Sequence, residues 1–334
     1  MNDVTTVGVD VAKSVFSLHG VGGSGAVVLR KNVSRAKLMG IVAQLPPCLI
    51  GMEACGGAHE WARRFSEFGH TVKLMAGQFV AAYRKGGKND GNDAEAICEA
   101  VGRPNMRFVP IKTREQQAQL CLHRVRSGFV EERTANLNRL RGLLAEFGHV
   151  LPLGAPALRA QVPQILEDLP AMAAGAARDL LEHVRELDAR IVGYDRQIQA
   201  HVRSSELAQR AQTQKGVGPL TASAIVASVG EAREFKNGRQ FAAWLGLVPR
   251  QHSTGGKTRL GQITRSGDRY LRTLLVLGAR AVLRRAPYER DPLSRWAVAL
   301  RERRGYHRAC VAIAAKNARR VWAALAGRTP LTVE

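Results

Sequence analysis

The sequence has few aromatic residues and few cysteines, and it contains no long apolar run. Phe, Trp and Tyr make up 5% of the 334 residues, which argues against binding of single strands mainly by stacking on aromatic rings. The five cysteines are scattered and form no CxxC pair, so neither a zinc site nor a disulfide framework is predicted. No stretch approaches the roughly 20 apolar residues of a membrane-spanning helix, and no secretory leader pattern opens the chain. These absences predict a cytoplasmic protein.

Acidic residues are scarce relative to basic ones. Lys and Arg total 50 against 28 Asp and Glu, for a net charge of +22, and hydrophobic residues make up 45% of the chain. Residues 250–330 alone hold 19 Lys and Arg against four acidic residues. A positive field this concentrated in a globular chain points to a polyanion. Because the basic residues alternate with Gly turns and core positions, we expect nucleic acid and not a membrane surface.

The patterning divides the chain into three predicted domains. Residues 1–112 alternate short apolar strands with amphipathic helices, which is typical of an α/β domain. Residues 113–210 contain two long amphipathic helices with a Pro/Gly/Ala-rich connection. These two helices form an antiparallel arm or a coiled coil between protomers, or they simply pack together within one chain. Residues 211–334 are predicted to be mainly α-helical and are strongly basic.

Four carboxylates fall at predicted element ends in the first domain. Asp10 ends the first strand, Glu53 ends an apolar strand over 48–52, and Asp90 and Asp93 stand three residues apart at a helix start. Acids placed in this way can converge at one edge of a mixed sheet. Their hard oxygens suit Mg²⁺, and two such ions can clamp the attacking and leaving oxygens of phosphoryl transfer. The alternative is that each acid only caps a helix or stabilises a turn.

A Gly-x-Gly turn precedes a predicted helix in the third domain. The turn comprises Gly216 and Gly218 and follows Lys215. Exposed backbone N–H groups at a helix N-terminus can bind a phosphate, as in a helix-hairpin-helix element. The alternative is an ordinary connection between two helices.

A second phosphate-binding candidate is a loop with Ser253 and Thr254 ahead of two glycines. A hydroxyl there can approach a phosphate, although a serine is a weak nucleophile unless a base or a metal activates it. Arginine forks nearby can bind backbone phosphates and stabilise developing charge. The predicted nucleic-acid contacts in and after this loop are Arg250, Lys257, Arg259, Arg265, Arg269 and Arg272.

These motifs occur in a fixed order, and as a set they resemble the DEDD-type insertion-sequence transposases that act as bridge-RNA-guided (seekRNA-guided) DNA recombinases. The similarity extends over about residues 5–325 and is weakest over 113–210. The motifs that carry it are Gly8-Val9-Asp10-Val11-Ala12-Lys13, Met52-Glu53-Ala54, Asp90-Gly91-Asn92-Asp93-Ala94, Gly216-Val217-Gly218-Pro219, Phe241 to Pro249, Ser253-Thr254-Gly255-Gly256-Lys257 and Arg265 to Arg272.

The resemblance implies an RNase H-like (RuvC-like) domain over 1–112, a helical arm over 113–210, and a mainly α-helical transposase domain over 211–334. It implies that the DEDD acids, here Asp10, Glu53, Asp90 and Asp93, hold Mg²⁺. A serine of the last domain would attack a DNA phosphate and form a covalent phosphoserine link. That serine falls on Ser253 counted back from Gly267 and on Thr254 counted from Pro249, and we expect Ser253.

The resemblance also implies several partners. A structured guide RNA would pair with donor and target DNA, and pairing would carry the sequence information. A homo-oligomer, a dimer or a tetramer, would share its active sites between protomers in the cytoplasm or nucleoid of a prokaryote. No G-x-x-x-x-G-K-[ST] loop is present, as expected for strand exchange without ATP. The rival hypotheses are a RuvC/RNase H-like junction nuclease, with water as nucleophile, and a non-enzymatic basic nucleic-acid-binding protein.

Overall fold

The computed structural model describes residues 3–87, 89–152 and 154–327. The chain forms two compact units with the boundary between Thr113 and Arg114. The first unit agrees with the predicted boundary near residue 112, and the described residues from Arg114 onward form the second unit. No helix in the described ranges is both long and apolar enough to cross a membrane.

A mixed six-stranded sheet forms the centre of the first unit. Its strands are β1 (Val4–Asp10), β2 (Val15–Gly22), β3 (Val27–Ser34), β4 (Leu49–Glu53), β5 (Thr71–Met75) and β6 (Phe108–Val109). The order across the sheet is β3-β2-β1-β4-β5-β6. Strands β1, β4 and β5 run parallel to one another, and the remaining pairs are antiparallel. Residues Val7–Val9 of β1 and Ile50–Met52 of β4 are buried consecutively, as expected of parallel strands covered on both faces.

Four α-helices accompany this sheet: α1 (Arg35–Val42), α2 (Ala58–Glu67), α3 (Gly77–Val80) and α4 (Asp90–Val101). Two glycines set the position of α4. A Cβ on Gly8 of β1 would lie 2.1 Å from the Ala94 carbonyl oxygen, and a Cβ on Gly51 of β4 would lie 2.7 Å from the Val101 Cβ. The backbones of these strands therefore approach α4 more closely than any side chain would allow.

The second unit begins with two long helices, α5 (Arg114–Ala145) and α7 (Ala171–Ser204), with α6 (Ala155–Ile165) between them in the sequence. Buried leucines from α5 and α7 belong to one apolar cluster. Arg126 pairs with Asp195 at 2.6 Å and Arg133 pairs with Asp188 at 3.0 Å. The two long helices therefore pack against each other within one chain.

The remaining helices share a larger core in the second unit. They are α8 (Glu206–Gln212), α9 (Pro219–Val229), α10 (Gly238–Trp244), α11 (Arg269–Arg285), α12 (Pro292–Arg304) and α13 (Tyr306–Leu325). The prediction of a mainly α-helical segment missed one feature, an antiparallel hairpin of β7 (Pro249–Thr254) and β8 (Lys257–Ile263). Residues 249–262 are all exposed, so both faces of this hairpin are open to solvent.

Candidate active site

Asp10 and Glu53 end neighbouring parallel strands. In the register of β1 and β4, Val9 lies beside Met52, so the two acids follow at adjacent strand ends. Gly8 and Gly51 face α4 two residues earlier in the same strands. Because side chains alternate along a strand, Asp10 and Glu53 lie on the face of the sheet that α4 covers. The structure thus brings these two predicted residues together.

Asp90 and Asp93 lie in the first turn of α4, as the sequence predicted. Asn89 caps the helix, with its side-chain oxygen accepting from the Asn92 backbone N–H at 2.8 Å. The helix crosses Gly8 at Ala94, the residue that follows Asp93. The start of α4 is therefore on the same face of the sheet as the end of β1, about one helical turn along α4 before the crossing at Gly8.

The side chains of the four acids are not assembled into one group. Arg84 donates to the Asp93 carboxylate at 3.1 Å, and the Glu53 carboxylate lies against Gly77. Within residues 3–87, 89–152 and 154–327, no three Asp, Glu, His or Cys side chains form a group that could hold a metal ion. The oxygen donors suit a divalent ion in chemistry and in backbone placement. Arg84 competes with such an ion for Oδ1 of Asp93.

The thiol of Cys55 reports the charge at the strand ends. Its pKa is raised, first by partial burial and then by the negative charges of Glu53 and Asp10. Its sulfur also lies 3.8 Å from the Val11 carbonyl oxygen, so the segments that follow β4 and β1 are in contact. Glu53 and Asp10 are therefore both close enough to act on the same thiol.

Sequence reasoning missed Arg84. This arginine is half-buried beside Asp93 and lies in the segment between the 3₁₀ turn Ala81–Tyr83 and α4. A basic residue nine positions before an acid gives no periodic signal. Only the packing of this segment beside α4 brings the pair together.

The Gly-x-Gly turn between α8 and α9 has a packing role that the phosphate-binding interpretation did not anticipate. Gly216 has φ +85°, and its carbonyl oxygen would lie 1.9 Å from a Cβ on Gly278 of α11. The Lys215 ammonium is bound to Glu289 and Asp291, and it donates to Ser294 at 2.8 Å. These two carboxylates neutralise the charge of Lys215 within the second unit. Gly218 directly precedes α9, a helix that is buried over most of its length.

Ser253 lies on a strand, where the sequence interpretation placed a loop. It is the fifth residue of β7, and its hydroxyl accepts a hydrogen bond from the Gln251 amide at 2.8 Å. The turn itself consists of Gly255 (φ +55°) and Gly256 (φ +76°). Two consecutive positive φ values are typical of the type I′ turn that joins paired strands, and they require glycine-like residues.

The register of the hairpin separates its hydroxyls. His252 faces Arg259 and Thr254 faces Lys257, so these four side chains share one face. Ser253 faces Thr258 on the opposite face. Thr254 therefore shares a face with Lys257 and Arg259, two of the predicted nucleic-acid contacts, whereas Ser253 lies on the other face.

The predicted basic contacts divide into exposed and internally bonded residues. Arg272 is internally bonded, since one guanidinium nitrogen donates to the carbonyls of Leu245 and Ser266, each at 3.1 Å. Arg250 is exposed and donates to the Thr264 carbonyl at 3.3 Å. The remaining predicted contacts are exposed, namely Lys257, Arg259, Arg265 and Arg269. Arg272 therefore holds the connection before α11 in place, which its sequence pattern did not reveal.

Comparison with known proteins finds two matching family models. Residues 7–149 match a DEDD transposase model of the IS110 type, and residues 208–294 match the model described as "Transposase IS116/IS110/IS902 family". The chain is 51% identical to a "Probable family 20 transposase" of Pseudomonas aeruginosa over 98% of both proteins. It is 43% identical to the "Transposase for insertion sequence element IS1111A" of Coxiella burnetii, over 97% of this chain and 90% of that protein. The corresponding protein of element IS1328 from Yersinia enterocolitica is 40% identical, over 96% and 97%.

Proposed function

Since this chain belongs to the IS116/IS110/IS902 family of transposases, we propose that it cuts and rejoins DNA strands under the direction of a structured guide RNA. DNA is the partner that a transposase requires. The observation that carries the proposal is the placement of Asp10 and Glu53 at adjacent parallel strand ends, on the face where α4 begins with Asp90 and Asp93. The protein would act in the cytoplasm, at the nucleoid of a prokaryotic cell.

Asp10, Glu53, Asp90 and Asp93 are the residues that would hold a divalent ion, which we take to be Mg²⁺. When bound, such an ion polarises a phosphate and lowers the pKa of a hydroxyl near it. The placement of Asp10 and Glu53 at adjacent strand ends, on the face that α4 covers, supports this assignment. Arg84 would compete with the ion for Oδ1 of Asp93, so it would weaken binding of the ion.

The Ser253 hydroxyl is the proposed nucleophile. Its oxygen forms a bond to a DNA phosphorus, and the bond from that phosphorus to one strand oxygen breaks, which releases a DNA hydroxyl. A hydroxyl of a second DNA end then attacks the phosphoserine and releases the serine. The phosphodiester is thereby transferred without hydrolysis, so no ATP is needed. Exposure of the hairpin suits a nucleophile supplied to acids of another protomer in a dimer or tetramer.

Thr254 is the alternative nucleophile, and a denaturing gel with labelled DNA and the copurifying RNA separates the two. We expect wild-type protein and Thr254→Ala to retain a covalent protein–DNA species and Ser253→Ala to lose it. If both alanine variants still trap DNA, the nucleophile does not lie in this hairpin. Complete cutting with no covalent species in any protein would instead identify a hydrolase of the RuvC/RNase H type.

Asp10→Asn tests whether the protein is an enzyme at all. The substitution preserves the shape of the side chain and removes its charge. We expect strand cutting to be lost while DNA binding persists, because loss of a negative charge does not weaken binding to a polyanion. A non-enzymatic DNA-binding protein would show no cutting in the wild-type protein either.

A further inference from the structure

A row of polar residues extends from Asp10 across the first three strands. Asp10 lies beside Ser17 of β2, and Ser17 lies beside Asn32 of β3. Residues opposite each other in a sheet share a face, so this row continues the face on which Asp10 and Glu53 lie. Ser17 is buried, and its hydroxyl donates to the Asn32 side-chain oxygen at 2.8 Å. The next row, one pleat away, places His19 of β2 beside Arg30 of β3.

A groove of about 430 Å³ separates this row from the start of α4. Its walls include Ser17, Arg30 and Asn32 on the sheet and Asn89, Asp90 and Gly91 on the helix side. Strand β3 is at the edge of the sheet, so the groove can be entered from the side. The groove therefore extends from the edge of the sheet to Asp90.

Hydrogen-bond donors of the sheet face the start of α4 across the groove. An Arg30 guanidinium nitrogen lies 3.7 Å from the position of a Cβ on Gly91. Within the described parts of the chain, no carboxylate lies within ion-pair distance of Arg30. The Asn32 oxygen is occupied by Ser17, which turns the donor NH₂ of the same amide away from Ser17. His19 is buried beside Arg30 and has a lowered pKa because of burial, so Arg30 supplies the charge of this row.

We infer that this groove binds the phosphodiester backbone of a nucleic-acid strand that passes the acids, with Arg30 and Asn32 contacting a phosphate next to the reacting one. The inference rests on the proposed function, because it places the reacting phosphate at Asp10. A guanidinium and an amide donor suit a phosphate oxygen, whereas Asp90 on the helix wall of the same groove repels an anion unless a cation is bound there. The groove thus fixes which phosphate contacts donors and which one reaches the acids.

Methylphosphonate interference tests this contact one phosphate at a time. The probe is DNA spanning the ends of the insertion element that encodes the chain, with a single neutral methylphosphonate at varied positions. Binding is measured in Ca²⁺ with the copurifying RNA present. In wild-type protein we expect one position next to the cut site to weaken binding about tenfold, the effect of losing one charge-assisted hydrogen bond. In Arg30→Gln, the same neutral position should have no further effect.

A second arm places the methylphosphonates in the RNA and leaves the DNA intact. Loss of interference at an RNA position in Arg30→Gln would show that the groove binds the guide strand, and loss at a DNA position would show that it binds the strand being cut. Either result supports a phosphodiester contact. If Arg30→Gln retains the wild-type interference pattern in both arms, the inference is wrong.

Lys37→Gln is the matched control, since Lys37 is an exposed residue of α1 outside the groove walls. This substitution also removes one positive charge, and we expect interference at the same positions as in wild-type protein. If Lys37→Gln also lost the interference at this position, the effect would be due to net charge, and the inference would be wrong. Failure of the proposed function is detected separately, because it appears as cutting that survives Asp10→Asn, whereas the interference pattern is measured without cutting.

Discussion

At the scale of single residues, the structure differs from the sequence interpretation mainly in what the charged side chains contact. Asp93 is bonded to Arg84, Lys215 to Glu289 and Asp291, and Arg272 to two backbone carbonyls. Each of these residues carries the charge that its motif predicts. Tertiary packing decides whether that charge is available to a ligand.

Arg84→Gln is expected to raise the affinity for a divalent ion, because it removes a cation that competes for Asp93. The pair is partly exposed, so we expect a modest gain of about fivefold. Calorimetric titration with Mn²⁺ measures this affinity. Lys85→Gln is the matched control, since Lys85 is next in sequence and lies 3.9 Å from Glu95. Unchanged or weaker binding in Arg84→Gln would contradict the competition.

His123 of α5 predicts a pH dependence of stability. The residue is buried, with its ring nitrogens 3.1 Å from the Tyr270 hydroxyl and 3.0 Å from the Ser223 hydroxyl. Burial is the largest cause that lowers its pKa from 6.5 to about 4. The unfolded chain therefore takes up a proton at higher pH than the folded chain. Stability is complete above pH 6.5 and falls by about 3 kcal/mol as the pH decreases to about 4.

Thermal unfolding between pH 7 and pH 4 measures this effect. We expect His123→Gln to lose less stability across that window than wild-type protein, because its side chain does not titrate. His183→Gln is the control, since His183 is exposed and its pKa is raised, chiefly by hydrogen bonding to Glu132. That variant should retain the acid-dependent loss. Parallel curves for wild-type protein and His123→Gln would show that His123 is not responsible.

At the scale of elements, the site depends on how closely α4 approaches β1 and β4. The absence of side chains at Gly8 and Gly51 allows this approach, which fixes where Asp90 and Asp93 lie relative to the strand ends. The hairpin β7–β8 is the opposite case, because solvent surrounds it on both faces. Packing against the sheet positions α4, whereas the hairpin is held mainly through its two ends.

Gly8→Ala should therefore disturb both folding and the site. The new methyl group would meet the backbone of α4 at Ala94 and Cys98, which are not the ends of flexible side chains. We expect a loss of about 3 kcal/mol in the free energy of unfolding, in the range of overpacked cores, together with loss of cutting.

Gly40→Ala in α1 is the control for this substitution. A Cβ there would have no neighbour within 4 Å, so the change should raise stability by up to about 1 kcal/mol through its helix propensity. Denaturant unfolding of the two variants measures the difference. Equal stability of Gly8→Ala and wild-type protein would show that α4 can move away without cost.

Part of this architecture could be predicted from the sequence because its signals are local. The apolar runs before Asp10 and Glu53 identify strand ends. The helix that became α4 was predicted to begin at Asn92, whereas it begins at Asp90 with Asn89 as its cap. The hairpin was missed because a fully exposed strand has no buried face to produce an apolar alternation. The Arg84–Asp93 pair and the groove beside Arg30 depend on residues brought together from different elements. No spacing along the chain encodes them.

At the scale of the whole molecule, the charge is unequally divided between the two units. Residues 1–113 hold 14 Lys and Arg against nine Asp and Glu, whereas residues 114–334 hold 36 against 19. The first unit carries the acids of the proposed site and has its own apolar core. Most of the attraction to a phosphate backbone is therefore expected from the second unit.

A fragment of residues 1–113 tests this division. We expect it to unfold cooperatively, because its sheet and core are complete, and to bind DNA with a much shallower salt dependence than the full chain. Each phosphate contact contributes a slope of about 0.7–0.9 in log K against log salt. Circular dichroism and fluorescence anisotropy provide the two measurements. An equal slope for fragment and full chain would place the main contacts in the first unit.

The exposed hairpin also bears on how the protein avoids self-aggregation. Its two strands pair only with each other, so each has an outer edge of unpaired backbone groups that could extend into a neighbouring molecule's ribbon. Lys257 and Arg259 oppose such edge-to-edge growth by mutual repulsion between copies. A bound nucleic acid would neutralise these charges, but it would also cover the hairpin and so block its edges. The same two cations would therefore prevent aggregation of the free protein and bind its polyanionic partner.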